Sequence, residues 1–144
     1  MNRLARLIVL GASVPSQNVW DRMHWGKRMR LKADWRLILI AARNARPDNP
    51  AGHWEPGDGW KPAVKGEKRV LVVTHYRKRL LDSDNLTAAS KSLIVDNVKG
   101  SPLWFLWDDD NAHAEVAIEQ HGVPVDVPMV KIEVFGVSGA SGTP

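Results

Sequence analysis

The pattern of apolar and polar residues along the chain predicts four β-strands. Residues 4–10 (LARLIVL) form a short apolar run, and residues 68–77 (KRVLVVTHYR) are rich in the β-branched residues that favour strands. Residues 113–120 (HAEVAIEQ) and 129–137 (MVKIEVFGV) are predicted as two further strands, joined by a turn that contains proline. The chain is therefore expected to build a small sheet.

Two helices are predicted between these strands. From Gly26 to Arg43, apolar residues recur at spacings of four, three and four and form one stripe, made of Leu31, Trp35, Ile38 and Ala42. Residues 84–98 form a second helical pattern, which ends at Gly100-Ser101-Pro102. The order β-α-β-α-β-β predicts a small α+β domain whose mixed sheet is flanked by two helices.

Length and composition indicate one cytoplasmic domain. The 144 residues suit a single domain, which we expect to span residues 1–137, with residues 138–144 (SGASGTP) as a flexible tail. The sequence contains no cysteine, which excludes disulfides and thiolate metal sites and suits the cytoplasm. The N-terminal run LIVLGA is too short to span a membrane and is interpreted as a first strand rather than a secretory signal, so no membrane partner is expected.

Two segments rich in tryptophan each allow two interpretations. Residues 47–66 hold four prolines and four glycines, so we expect no regular element there. Trp54 and Trp60 in this segment either anchor it to the body of the domain or stack on nucleic-acid bases, and we favour anchoring. The run LWFLW (residues 103–107) presents the same choice, and we favour a place in the core.

The formal net charge of +4 is unevenly spread along the chain. One basic cluster surrounds the start of the first predicted helix and another ends the strand at 68–77; the candidate DNA-binding residues are Arg22, Lys27, Arg28, Arg30, Lys32, Arg77, Lys78 and Arg79. Such clusters attract a polyanion, most simply nucleic acid, through its phosphates. The alternative is an ordinary solvated surface.

Carboxylates gather in two places despite the positive net charge. Asp82 and Asp84 follow a strand, and in extended chain two residues at this spacing project to the same side. Two carboxylates so close repel each other unless a cation lies between them, and Mg²⁺ commonly takes one or two carboxylates while keeping several waters. A third acid from Asp108-Asp109-Asp110 would complete a site that activates water and stabilises a departing phosphate-ester oxygen.

Lys91 is the expected cation of this site. It lies on the same helix face as Asp84, two turns further on, where an ammonium group can hold a phosphate or offset the acids. The ordinary alternatives are a helix N-cap for Asp84, surface acids for the triplet, and an exposed helix lysine for Lys91. Asp96 is expected to be a surface aspartate and His113 a structural residue. The sequence contains no GxSxG motif, P-loop or GxGxxG motif.

Three motifs together resemble a known nuclease family. They are the strand that leads into Asp82-Ser83-Asp84-Asn85-Leu86, the helix with Lys91, and the later Asp108-Asp109-Asp110. Residues 15–32 (PSQNVWDRMHWGKRMRLK) also look like the P-S-x-N segment and basic helix of this family. The combination resembles the RusA-type Holliday junction resolvases, which are common in phages and prophages, over roughly residues 7–135.

The resemblance implies a small α+β homodimer that cuts four-way DNA junctions symmetrically with Mg²⁺, or with Mn²⁺ as a substitute ion. Asp82 and Asp84 match the two motif aspartates, and Asp109 matches the third, with Asp110 as the alternative. Some members of the family place a lysine four residues after the second aspartate, where this chain has Ala88. Lys91 lies one turn further along the same face.

The resulting prediction is a Mg²⁺-dependent, structure-selective endodeoxyribonuclease of DNA recombination and repair, with water as the nucleophile. The expected catalytic residues are Asp82, Asp84, Lys91 and Asp109, and the expected metal ligands are Asp82, Asp84, Asp109 and Asp110. Two alternatives stay open, namely a non-catalytic nucleic-acid-binding module and a nuclease for other branched DNA.

Overall fold

The computed structural model of the chain describes residues 2–124 and 127–137, and the predicted tail at 138–144 lies outside them. The strands are β1 (Asn2–Leu10), β2 (Gly52–Pro56), β3 (Arg69–Arg77), β4 (Ala114–Gly122) and β5 (Met129–Gly136). The helices are α1 (Gln17–Arg22), α2 (Trp25–Arg43) and α3 (Ser83–Ser90), and α3 continues as a π-helical turn (Lys91–Val95) and a 3-10 turn (Asp96–Val98). The chain is thus an α+β domain, as predicted.

The five strands form one mixed sheet in the order β2-β1-β5-β3-β4. β3 and β4 are parallel, whereas the β1–β2, β1–β5 and β3–β5 pairs are antiparallel. Because β5 runs antiparallel to both β1 and β3, the strands β1, β3 and β4 all end at the same edge of the sheet. We call this edge the carboxyl edge. The segments that follow β1, β3 and β4 therefore meet there.

Strand β2 lies within the segment for which no regular element was predicted, so that prediction was wrong. Gly52 is required at its start, because a Cβ atom there would collide with the carbonyl oxygen of Ile8 and lie 2.8 Å from the Cβ atom of Ala42. In sequence patterns glycine marks a break, whereas here it lets β2 approach both β1 and α2 closely. Helix α1 was also not predicted.

One face of the sheet is covered by helices. Helix α2 packs on β1 and β2, and the turns that extend α3 pack against α2. The predicted stripe of α2 is confirmed, since Trp35 and Ala42 are buried and Leu31 and Ile38 pack partly buried against the core. The opposite face, which we call the uncovered face, has no helix packed on it in the described part of the chain. Side chains of this face include those of Arg6, Thr74, Tyr76, Lys131 and Glu133.

Both tryptophan-rich segments serve the core. Trp54 meets Trp60 edge to face with ring centroids 5.3 Å apart, and Trp60 lies 6.5 Å from Phe105. Leu103, Phe105 and Leu106 are fully buried. The anchoring role of Trp54 and Trp60 is therefore confirmed, and the core position is confirmed for Leu103, Phe105 and Leu106. Trp104 and Trp107 are partly exposed and stack on each other, with ring centroids 4.6 Å apart. No helix of the described residues is long and apolar enough to cross a membrane.

Candidate functional site

Asp82 and Asp84 lie at the carboxyl edge, where β3 has ended and α3 begins. Asp82 occupies the N-cap position of α3, but its side chain accepts no capping hydrogen bond, and Asp84 lies in the first turn. Both residues are exposed. The capping alternative for Asp84 is therefore wrong, and in the described part of the chain neither carboxylate has a hydrogen-bond or ion-pair partner. The helix N-terminus favours negative charge here, which offsets part of the repulsion between the two acids.

The main chain before Asp82 is held by a side chain of β4. The Leu81 amide donates to Oε1 of Gln120 at 3.0 Å, and Nε2 of Gln120 donates to the Leu81 carbonyl oxygen at 2.6 Å. A further bond from the Val123 amide to the Arg77 carbonyl oxygen closes the same corner at 3.1 Å. Gln120 thus positions the aspartates, although the sequence analysis did not single it out. The sequence feature that could have revealed Gln120 is its polar side chain on the covered face of β4, where the preceding residues of that face, Val116 and Ile118, are apolar.

The structure brings Lys91 together with Asp109. Lys91 lies where α3 passes into its π-helical turn, and its Nζ atom is 3.0 Å from Oδ2 of Asp109. Both side chains are partly exposed, 40 % for Lys91 and 31 % for Asp109. Short π-helical segments inside helices are frequent at functional sites. Two residues that were predicted to be catalytic therefore form an ion pair. Lys91 lies about 10 Å along the helix from Asp84.

The other two aspartates of the triplet, Asp108 and Asp110, contact other side chains than Lys91. Lys99 donates to Asp108 at 3.0 Å, which lowers the pKa of the Asp108 carboxyl, and its Nζ atom also lies 3.8 Å from the exposed Asp96. Oδ1 of Asp110 lies 2.8 Å from Nδ1 of His113 and accepts from the His113 amide at 2.9 Å. Nε2 of His113 accepts from the Gly66 amide at 3.0 Å, so Nδ1 carries the ring proton and donates to Asp110.

These contacts separate the roles of Asp109 and Asp110. Asp110 anchors the start of β4 through His113, which is the structural role expected for that histidine. Asp109 has only the partly exposed ammonium of Lys91 as its ion-pair partner within residues 2–124 and 127–137. Of the two aspartates, Asp109 is the one able to exchange its partner without breaking the loop.

The predicted set of four aspartates is not gathered in one place. Among the described residues, no three carboxylate or histidine groups lie close enough to hold a metal ion. Asp82 and Asp84 stand at the carboxyl edge, whereas Asp110 lies at the start of β4, which is the opposite end of the parallel strands. The Asp82–Asp84 pair still fits the chemistry of Mg²⁺, which takes one or two carboxylates when water and phosphate oxygens complete its ligands.

Two of the eight predicted DNA-binding residues have structural contacts. Arg28 donates to the carbonyl oxygens of Trp20 at 2.9 Å and Asp21 at 2.7 Å. Arg77 donates to those of Arg79 at 2.7 Å and Val14 at 3.0 Å, and burial lowers the pKa of its guanidinium. Arg77 therefore ties the segment after β1 to the segment after β3.

The other predicted cations face solvent to differing degrees. Exposed residues are Arg22, Lys27, Arg30, Lys78 and Arg79, and Lys32 is partly buried. Lys78 and Arg79 lie between β3 and Asp82 and so belong to the carboxyl edge. Arg22 ends α1, which packs against α3. Three cations without a side-chain partner among the described residues, Arg22, Lys78 and Arg79, therefore lie on elements next to the two aspartates.

A buried histidine beneath α3 was also not singled out from the sequence. His75 is 1 % exposed, and its Nε2 atom lies 2.8 Å from Oγ of Ser90. Its Nδ1 atom has no hydrogen-bond partner among the described residues. Burial, with a smaller contribution from the charge of Arg77, lowers the pKa of His75 to about 4. His75 is therefore a neutral core residue, closed off from any substrate.

Comparison of the chain with family models, with curated proteins and with solved structures finds no match. The likeness to the resolvase family therefore rests on the sequence motifs alone.

Proposed function

We propose that the protein is a Mg²⁺-dependent endodeoxyribonuclease that cuts branched DNA, with four-way junctions as its substrate. The observation that carries this proposal is the pair Asp82 and Asp84, two exposed carboxylates without a protein partner in the described part of the chain. They stand beside the exposed cations Lys78 and Arg79. Carboxylates without an ion-pair partner, next to positively charged side chains, suit a site that binds a metal cation and a phosphate together.

In this proposal each residue has a stated task. Asp82 and Asp84 hold the metal ion, which when bound activates a water molecule and offsets charge on the departing oxygen. Asp109 is the third carboxylate, in preference to Asp110, because Asp110 is engaged by His113. Lys91 contacts the phosphate once Asp109 has turned away from it. For Asp109 to reach the metal site it would have to leave Lys91, which lies about 10 Å along the helix from Asp84.

The surrounding cations hold the DNA backbone. Phosphate contacts position a protein on DNA without selecting a sequence, and they weaken as salt rises. The residues proposed for this role are Arg22, Lys27, Arg30, Lys32, Lys78 and Arg79. We also propose a homodimer, because symmetric cutting of a four-way junction needs two sites, and a cytoplasmic location, which the absence of cysteine suits.

Cleavage of a synthetic four-way junction in Mg²⁺ tests the proposal. We expect Asp82→Asn and Asp84→Asn each to lower the cleavage rate by roughly 100-fold or more, because each removes a metal ligand. Both should still bind the junction in EDTA, measured by fluorescence anisotropy. Asp58→Asn is the matched control, since Asp58 is an exposed aspartate in the β2–β3 connection, and it should cleave like the parent. Unchanged cleavage by Asp82→Asn would refute the metal site.

A second candidate is a nucleic-acid-binding module without catalysis. It is favoured by one observation, that the described residues hold no group of three metal-ligating side chains. A parent protein that binds junctions but cuts nothing in Mg²⁺ or Mn²⁺ would establish this alternative. Comparing four-way junctions, flaps, forks and linear duplex in the same assay would identify a nuclease with another branched substrate.

A further inference from the structure

Two aromatic rings stack on the uncovered face at the carboxyl edge. Tyr76 of β3 and His121 of β4 are directly opposite each other in the parallel pairing of these strands. Their ring centroids lie 5.3 Å apart and their planes differ by 22°. His121 is exposed and Tyr76 is partly exposed. The two rings thus form a flat aromatic step on a surface to which no described helix is packed.

One ring face of this step has no strand beyond it in the described part of the chain. β3 lies between β5 and β4, and Nζ of Lys131 on β5 lies 6.0 Å from the centroid of the Tyr76 ring. Tyr76 is therefore flanked by Lys131 on one side and by His121 on the other. β4 is the last strand of the sheet, so no described strand covers the far side of His121. A further planar group is able to stack on that side.

The step lies at the same end of the strands as the two candidate metal-binding aspartates, although His121 projects from the uncovered face and Gln120 from the covered face. Gln120, which precedes His121, makes both hydrogen bonds to Leu81, which precedes Asp82. His121 therefore directly follows one residue of this hydrogen-bonded pair in the chain, and Asp82 directly follows the other. The exposed Lys78 and Arg79 lie in the same corner. An aromatic surface beside free cations is the combination that binds single-stranded nucleic acid, with bases on the rings and phosphates on the cations.

We propose that His121, backed by Tyr76, is a stacking platform for an unpaired DNA base. The base would belong to a nucleotide next to the phosphate that Asp82 and Asp84 address, so its placement at the cut rests on the proposed function. Stacking requires only the flat face of a base, so the platform should tolerate any sequence. The centre of a branched DNA offers bases that lack a stacking neighbour, whereas an intact duplex does not. The platform would thereby favour branched over linear DNA.

Binding without cleavage tests the platform separately from the nuclease. The probe is a labelled oligodeoxythymidylate of about 12 nucleotides, compared in EDTA with an abasic oligonucleotide of equal length and charge. We expect the parent to bind the oligodeoxythymidylate more tightly by about 5-fold to about 150-fold, which is the usual effect of one stacked base. His121→Ala should remove this difference, and His121→Phe should restore it. The double variant Lys78→Gln with Arg79→Gln should weaken binding of both oligonucleotides alike.

The outcomes separate the two proposals. Equal binding of both oligonucleotides by the parent, or a preference that His121→Ala retains, would overturn the platform whatever the cleavage results. A parent that prefers bases through His121 but never cuts a junction would support the platform and refute the nuclease. Circular dichroism and thermal unfolding of His121→Ala provide the folding control, and His121→Phe keeps the test valid if the alanine variant is unstable.

Discussion

Nζ of Lys91 lies 3.0 Å from Oδ2 of Asp109, so the predicted catalytic lysine neutralises the predicted third metal ligand. A partly exposed ion pair of this kind contributes little to stability, because both charges are well solvated when apart. Its partners can therefore separate at low cost when a phosphate and a cation arrive. In the proposed function, the pair is the resting arrangement of the site.

The first prediction concerns this pair. Lys91→Met and Asp109→Asn should each change the free energy of unfolding by less than about 1 kcal/mol, measured by urea denaturation, yet strongly reduce junction cleavage. Lys99→Met is the matched control, because Lys99 makes a similar 3.0 Å contact with Asp108 in the same region. It should affect stability equally little and leave cleavage intact. Equal cleavage by all three variants and the parent would remove Lys91 and Asp109 from the site.

The second prediction separates Asp110 from Asp109. Asp110→Ala removes two hydrogen bonds to His113 and should lower the free energy of unfolding by about 1–2 kcal/mol. Asp109→Ala removes one partly exposed ion pair and should cost less than about 1 kcal/mol. Below its unfolding transition, Asp110→Ala should still cleave junctions. If Asp110→Ala is fully stable but inactive, the assignment of the third carboxylate must be reversed.

The third prediction concerns Gln120 as a positioning residue. Gln120→Leu removes both hydrogen bonds to Leu81, so Asp82 should lose its fixed place and cleavage should fall by roughly 10-fold to 100-fold. Junction binding in EDTA should not change, and hydrogen exchange of the Leu81 amide should become faster. Glu119→Leu is the control, since Glu119 is the neighbouring residue and points to the opposite face of β4. A slow Leu81 amide in Gln120→Leu would contradict the positioning role.

The fourth prediction is a pH dependence of stability caused by His75. Its pKa is about 4 in the folded protein and 6.5 in the unfolded chain. At a pH between these two pKa values, His75 binds a proton in the unfolded chain but not in the folded protein. The free energy of unfolding therefore falls as the pH falls. We expect a loss of about 2 kcal/mol between about pH 7 and about pH 5.

A double variant tests this assignment. His75→Leu combined with Ser90→Ala removes both partners of the buried contact and leaves no unsatisfied hydroxyl. Urea unfolding of the double variant should show a much smaller loss of stability over the same pH interval. A parent whose stability is the same at both pH values would show that His75 becomes protonated inside the folded protein.

The sequence predicted the elements whose pattern is visible in residues that are neighbours in the chain. Helix α2 carries a long apolar stripe, and β3 is a run of β-branched residues, so both were placed to within a residue or two. Strand β2 has five residues and begins at Gly52, whose lack of a side chain matters only once α2 and β1 are packed against it. Helix α1 has only six residues and gains its support from packing on α3. Neither was predicted.

The amino-acid sequence alone determined the α+β class, the adjacency of Asp82 and Asp84, and the positive charge around them. These depend on residues that are neighbours in the chain, whose spacing no packing can change. Only the tertiary structure decided that Lys91 binds Asp109, that Asp110 binds His113, and that Gln120 holds the chain before Asp82. The Lys91–Asp109 and Gln120–Leu81 contacts join distant segments, and their choice follows from the strand order and register that burial of the core imposes. The Asp110–His113 contact spans three residues in the turn before β4.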